Sequence, residues 1–63
     1  MALLKRTTAN SLQYGDVILK NGERLQVEFI ERESFGATYE LRKEFGGTTS
    51  IFLPFNEPVI LEL

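Results

Sequence analysis

The sequence predicts one small all-β domain, and three observations lead to this fold class. The chain has 63 residues, which is room for a single domain. Apolar residues alternate with polar ones at a period of two, as they do in half-buried strands, and helical periodicity is nearly absent. Glycine-containing turns separate the alternating runs. We therefore expect a small antiparallel barrel of five strands, with one short helical turn before the first strand.

The N-terminal part of the chain divides into an arm and the start of the domain. Residues 1–7 are predicted to form the arm, which either frays or pairs from Ala2 to Arg6 as an additional edge strand. Residues 8–63 are the predicted barrel domain. Thr8 is a candidate N-cap for one helical or 3-10 turn, which would place Leu12 on the core.

The first hairpin is the most strongly indicated element. Two strand-like runs, Asp16 to Lys20 and Arg24 to Glu31, are joined through Asn21 and Gly22. Asn-Gly supplies the two positive-φ residues that a type I′ hairpin turn requires. Alternation within the strands then predicts which residues face the core. The inward series is Val17, Leu25, Val27, Phe29, Ile51, Leu53 and Val59.

Three further strands complete the predicted barrel. Ala37 to Lys43 is the third strand, and a turn at Gly46 and Gly47 leads to the fourth, Thr48 to Leu53. Pro54 ends the fourth strand because proline has no N–H for the ladder, and Pro58 opens the last strand after a tight turn. The buried positions of the third strand are Tyr39 and Leu41.

Composition excludes several classes of function. The chain has no Cys and no His, so disulfides, Cys/His zinc sites, thiol nucleophiles and the commonest general base are absent. Asp16 follows Gly15 in a pattern typical of turns, and no acid and base pair can be assigned. We therefore predict that the protein is not an enzyme and has no catalytic residues, metal site or cofactor.

The location of the protein is predicted from its apolar runs. The longest are far shorter than the roughly 18 residues that a membrane span requires. The N-terminal apolar residues precede the charges of Lys5 and Arg6, which is the reverse of a secretory signal. We expect a cytoplasmic protein that does not bind a membrane.

Two stretches resemble known families. Val17 to Gln26 resembles the opening hairpin of Sm-like proteins, including bacterial Hfq, with a strand, an Asn-Gly turn and a Leu-Gln strand. Val27 stands where that family usually has glycine, and the family's RNA-binding segments are missing, so RNA binding does not carry over. From Thr8 onward, the order of Leu-x-x-Gly-Asp-x-Ile, a late Gly-Gly turn and Pro-x-x-x-Pro-Val resembles short uncharacterised proteins of actinobacterial phages and their hosts. These resemblances imply an SH3-like or Sm-like barrel and a phage-encoded accessory or host-interaction factor.

Aromatic residues are the first candidates for a binding site. Four fall at turns or strand ends, where a ring can contact a partner, and SH3-like folds bind extended or Pro-rich segments through such surfaces. The candidates are Tyr14, Phe35, Phe45 and Phe55. The alternative is that each ring closes one end of the barrel, and Phe45 is the hardest to bury. We predict a protein-interaction module that uses these rings or an edge strand, with a host protein as partner if the chain is phage-encoded.

Nucleic acid is an alternative partner, which the net charge of −2 disfavours. An Sm-like or KOW-like nucleic-acid-binding barrel would depend on basic residues that converge on one face. The candidates are Lys5, Arg6, Arg24, Arg32 and Arg42. Arg24 and Arg42 share the outer faces of neighbouring strands with Glu28 and Glu40, which favours cross-strand ion pairs over a phosphate-binding track.

Self-association is predicted from the small size of the domain. A domain of about 60 residues buries only about 60% of the surface that its unfolded chain exposes, and it often needs an additional source of stability. Apolar residues on the outer faces and on the arm could meet a second copy. These are Leu3, Leu4, Ile18, Ile30, Phe52 and Ile60. We expect a homodimer through an edge strand, while the other interpretation is that bent strands bury both faces. A purely structural, self-assembling subunit is a second alternative function.

Overall fold

The computed structural model describes residues 3–63 and contains six strands and one 3-10 turn. The strands form one antiparallel sheet of order β1-β6-β2-β3-β4-β5. The elements are β1 (Leu4–Thr8), the 3-10 turn (Ala9–Ser11), β2 (Val17–Lys20), β3 (Glu23–Arg32), β4 (Gly36–Lys43), β5 (Thr48–Pro54) and β6 (Pro58–Glu62). The predicted all-β class and the short helical turn are confirmed. The predicted count of five strands is wrong, because the N-terminal arm contributes a sixth.

The arm forms an edge strand rather than fraying. β1 pairs with β6, and the pairing continues to Thr8, one residue beyond the predicted end of the arm. Thr8 precedes the 3-10 turn as predicted, but its side chain makes no capping hydrogen bond. The Ser11 hydroxyl instead donates to the Thr8 carbonyl at 2.9 Å. Of the predicted strand from Ala2 to Arg6, Ala2 lies outside the described residues.

The β2–β3 hairpin confirms the predicted turn and corrects the predicted face of β2. Asn21 and Gly22 both have positive φ, 52° and 79°. The two-residue turn places Ile18 opposite Leu25, and directly opposed residues project to the same face of a sheet. Ile18 is therefore a core residue, 1% exposed, and the prediction that Val17 faces inward and Ile18 outward is wrong.

A β-bulge in β3 changes the predicted alternation. Val27 lies opposite Leu41, whereas Phe29 lies opposite Glu40, so one extra residue, Glu28, is inserted into β3. An extra residue exchanges the faces of everything that follows it in the strand. Phe29 is consequently on the outer face and 49% exposed, and Ile30 packs against the core. Both residues were predicted on the opposite faces.

The core occupies one face of the sheet and includes the 3-10 turn. The Tyr39 hydroxyl donates to the Ala9 carbonyl at 2.8 Å, which fastens the turn to β4. Burial of the Tyr39 phenol raises its pKa, against a smaller opposing effect of Arg32. The prediction that Leu12 would reach the core is confirmed. The buried hydrophobic residues are Ala9, Leu12, Ile18, Leu25, Val27, Ala37, Tyr39, Leu41, Leu53 and Val59.

The connection from β5 to β6 requires a curved sheet. Only residues 55–57 join these strands, although β2, β3 and β4 lie between them in the sheet order. The tight turn is closed by the Glu57 N–H, which donates to the Pro54 carbonyl at 3.0 Å. The 3-10 turn binds the same segment, because the Ala9 N–H donates to the Glu57 carbonyl and the Asn10 N–H to the Phe55 carbonyl. In the described part of the chain β5 and β1 do not pair, so the sheet is open between them.

Candidate protein-interaction surface

The loop before β2 is held against the bulged part of β3. The Gln13 N–H donates to the Asp16 carboxylate at 2.9 Å, and the Asp16 N–H donates back to the Gln13 carbonyl at 3.1 Å. Gly15, at φ 88°, donates its N–H to the Val27 carbonyl, and the Val27 N–H donates to the Asp16 carbonyl, each at 2.8 Å. These bonds assign Asp16 a structural role in the turn.

This loop places Tyr14 beside Phe29. Their ring centroids are 6.5 Å apart and the planes are tilted by 52°, a geometry in the favourable range for aromatic pairs. Tyr14 is 63% exposed, so the pair presents aromatic surface to solvent. Phe29 was missed as a candidate because regular alternation placed it in the core. The adjacent apolar residues Phe29 and Ile30 were the signal in the sequence that alternation breaks in this strand.

An open groove of about 600 Å³ adjoins Tyr14. The half-buried Ile30 and the Tyr14 ring supply apolar surface above the buried Leu12, and Gln13 and Arg32 supply hydrogen-bond donors. Arg32 forms no salt bridge with any side chain in residues 3–63. The groove therefore combines an aromatic wall, apolar contacts and an unpaired cation, which suits an apolar group next to a carboxylate.

The four predicted aromatic candidates do not form one surface. Phe35 and Phe45 are 85% and 96% exposed, and they lie in the β3–β4 and β4–β5 turns, at opposite ends of β4. Phe55 is half-buried and packs against the core. For this ring the alternative interpretation applies, in which the ring serves packing and not binding. The Phe55 N–H also donates to the Phe35 carbonyl at 3.2 Å. Of the four candidates, Tyr14 alone has a second ring of residues 3–63 beside it.

Two of the five candidate basic residues form ion pairs with glutamates. Arg24 binds Glu62 through Nε and Nη2, at 2.9 and 2.6 Å from Oε2, and binds Glu44 through Nη1 at 2.7 Å. The hydrogen bonds to Glu62, followed by the one to Glu44, raise the pKa of Arg24. Arg42 pairs with Glu28 at 2.7 Å, which confirms a predicted cross-strand ion pair.

The remaining basic candidates are dispersed over the sheet. Lys5 and Arg6 are consecutive in β1 and so project to opposite faces. Arg32 is the last residue of β3, beyond the bulge. The structure therefore does not bring the five basic residues together on one face.

The predicted self-association residues separate into two groups. Ile18 and Ile30 face the core and are removed from the set, for the reasons of register and bulge given above. Leu3, Leu4 and Phe52 are exposed, and Ile60 is half-buried on the outer face of β6. The exposed members lie near both free edges of the sheet, β1 and β5.

Other kinds of site find no support in residues 3–63. No group of three or more acidic side chains there is arranged to hold a metal ion. None of the helical structure in that range is long and apolar enough to cross a membrane. No family model, curated protein or solved structure matches the chain. The resemblances to Sm-like proteins and to short phage proteins therefore stay predictions.

Proposed function

We propose that this protein is a non-enzymatic interaction module that binds a short extended segment of a partner protein in the groove beside Tyr14. The observation that carries the proposal is the exposed ring of Tyr14, which lies beside Phe29 and also lines an open, partly apolar groove. Aromatic residues and arginine are enriched where proteins bind each other and contribute most of the binding energy there. Tyr14 and Arg32 line the same groove.

The residues that line the groove indicate which side chains a partner segment should carry. Its apolar residues and the Tyr14 ring favour an aromatic or large aliphatic side chain, and Arg32 favours a neighbouring carboxylate. The curved sheet and its strand order support an SH3-like barrel that is open between β1 and β5, and SH3-like folds bind extended segments through loop-borne aromatic surfaces. A nucleic acid is less well supported, because Arg24 and Arg42 are paired with glutamates.

Selection from a displayed library of random short peptides tests this function. We expect the selected peptides to combine a large apolar residue with an acidic one. Replacing Tyr14 by alanine should weaken their binding by about 30-fold, the effect of losing an interface residue worth about 2 kcal/mol. Arg32→Ala should weaken acidic peptides more than variants in which the acid is replaced by its amide.

Phe45→Ala is the matched control, because it also removes one exposed aromatic ring but at the other end of β4. It should leave peptide affinity unchanged. The proposal is wrong if no peptide is selected, or if Tyr14→Ala and Phe45→Ala affect the selected peptides equally. Amide chemical shifts of the wild-type protein provide a second measurement, and they should change at residues 12–14 and 29–32 when peptide is added.

A further inference from the structure

One edge of β5 lacks a strand partner among the described residues and is only partly covered, because the 3-10 turn contacts β5 and Pro54 ends the strand. β5 is the last strand in the sheet order, so one side pairs with β4 and no strand of residues 3–63 pairs with the other. An edge of this kind presents unpaired N–H and C=O groups that can hydrogen-bond to another strand. Its residues, Thr48–Pro54, are mostly β-branched or aromatic, which favours pairing.

Charge distinguishes the two free edges of the sheet. No charged residue occurs between Glu44 and Glu57, a stretch that contains all of β5 and its flanking turns. The β1 edge, by contrast, carries Lys5 and Arg6, and charged residues, lysine above all, are the usual protection against edge pairing. If β1 paired with its own copy, these positive charges would be brought together, whereas β5 brings no like charges together.

The exposed aromatic rings at the two ends of β5 fit the same arrangement. Phe45, in the turn before β5, and Phe35, beside Gly36 and therefore next to Pro54, are the two most exposed large hydrophobic residues described. Antiparallel pairing of β5 with its own copy runs each strand past the opposite end of the other. It therefore brings Phe45 of one copy toward the end at which Phe35 of the other copy lies, and both rings lose solvent exposure.

We infer that β5 pairs antiparallel with β5 of a second copy of this chain, forming a two-fold symmetric dimer with one sheet continuous through both copies. A two-fold axis makes the contact self-complementary and closes the assembly at two copies. Pairing of β5 with β1 of another copy would instead leave one free edge at each end and would produce larger species. This inference is independent of the peptide groove, because Tyr14 lies on the loop before β2.

Mass measurement by light scattering after gel filtration is the first test. The wild-type protein should have twice its chain mass of 7.2 kDa at the upper end of a concentration range of about 10 to 500 micromolar. Ser50→Lys should shift it to the monomer mass. Ser50 is exposed and lies opposite Glu40 in β4, so the new lysine faces a carboxylate within its own sheet and the fold is retained.

Leu4→Lys is the matched control, since it places the same side chain at an exposed position on the other free edge. It should remain dimeric, as should Tyr14→Ala. Intermolecular contacts in a sample mixed from isotope-labelled and unlabelled protein should connect β5 to β5. A monomer at every concentration, a species larger than a dimer, a dimer that Ser50→Lys leaves intact, or intermolecular contacts that exclude β5 would each overturn the inference. Loss of peptide binding in Tyr14→Ala with dimerisation retained would separate this result from the proposed function.

Discussion

Gly36→Ala tests a close approach between β4 and β5. Gly36 begins β4 opposite Pro54 and is buried. A Cβ built at this position would lie 2.8 Å from the Pro54 Cα and 2.8 Å from the Phe52 ring, and closer still to the Leu53 carbonyl oxygen. Two of these three atoms belong to the backbone of β5, so they cannot rotate away. Accommodating a methyl group therefore requires β4 and β5 to separate locally.

The expected loss of stability follows from that geometry. Adding a methyl group to a well-packed site costs about 1 to 3 kcal/mol, and relief by side-chain rotation accounts for the low values. Backbone atoms prevent such relief here, so we expect about 3 kcal/mol. In a domain of this size each 1 kcal/mol lowers Tm by about 4 to 8 °C, so Tm should fall by about 12 to 24 °C. Circular dichroism during thermal and urea unfolding measures both quantities.

Two controls identify the cause of the loss. At Gly47 a Cβ would meet no atom within 4 Å, but φ is 84°, so Gly47→Ala measures backbone strain alone, about 1 to 2 kcal/mol. In a Phe52→Ala background the ring contact is gone and the backbone contacts remain, so Gly36→Ala should still cost about 2 kcal/mol or more. A cost below about 1 kcal/mol in the wild-type background, or none in the Phe52→Ala background, would refute the steric argument.

Three further predictions concern the core. Tyr39→Phe should lower the free energy of unfolding by about 0.5 to 1.5 kcal/mol in urea titrations, because the Ala9 carbonyl loses one of its two donors and keeps the Leu12 N–H at 3.1 Å; an unchanged midpoint would contradict this. The pKa of Tyr39 is raised above its ordinary value of 10.0, so above pH 10 the unfolded chain loses this proton while the folded protein retains it. The free energy of unfolding should therefore keep its full value below pH 10 and fall above it by up to about 1.4 kcal/mol per pH unit. In the same alkaline titration the free energy of unfolding of Tyr39→Phe should fall less steeply with pH. Equal slopes for the variant and the wild type would show that Tyr39 is not the cause of the fall. Ile18→Val should cost about 0.5 to 1.5 kcal/mol and Ile60→Val clearly less, and a reversed order would contradict the corrected face of β2.

Turn chemistry was the part of the fold that could be predicted most fully from the sequence. Asn21-Gly22 and Gly46-Gly47 all have positive φ, as their residue types indicate, because such backbone conformations are sterically costly for most side chains. The face of Ile18 could also have been predicted. A two-residue turn between Lys20 and Glu23 pairs Ile18 with Leu25, and Leu25 was already placed in the core. The run Val17-Ile18-Leu19 is apolar throughout, so only the register of the hairpin distinguishes its faces.

The sequence leaves the edge strand as one of two alternatives and does not predict the bulge, because both depend on contacts distant in sequence. The arm becomes β1 only because β6, more than fifty residues later, offers it a partner, as Leu4 opposite Glu62 shows. The bulge at Glu28 depends on the loop before β2, whose backbone bonds both the N–H and the carbonyl of Val27. Local propensity describes neither partner.

The bulge also explains why the candidate site could not be predicted from the alternation of apolar and polar residues. Without the extra residue, Phe29 would face the core and Tyr14 would have no second ring beside it. The hydrogen bonds that join Gly15 and Asp16 to Val27 hold the Tyr14 loop on the part of the strand where the bulge exposes Phe29. A loop fixed in this way loses less conformational freedom when it binds a partner than a free loop of the same length would. The irregularity in β3 thus exposes one ring of the pair, and the loop bonds fix the other beside it.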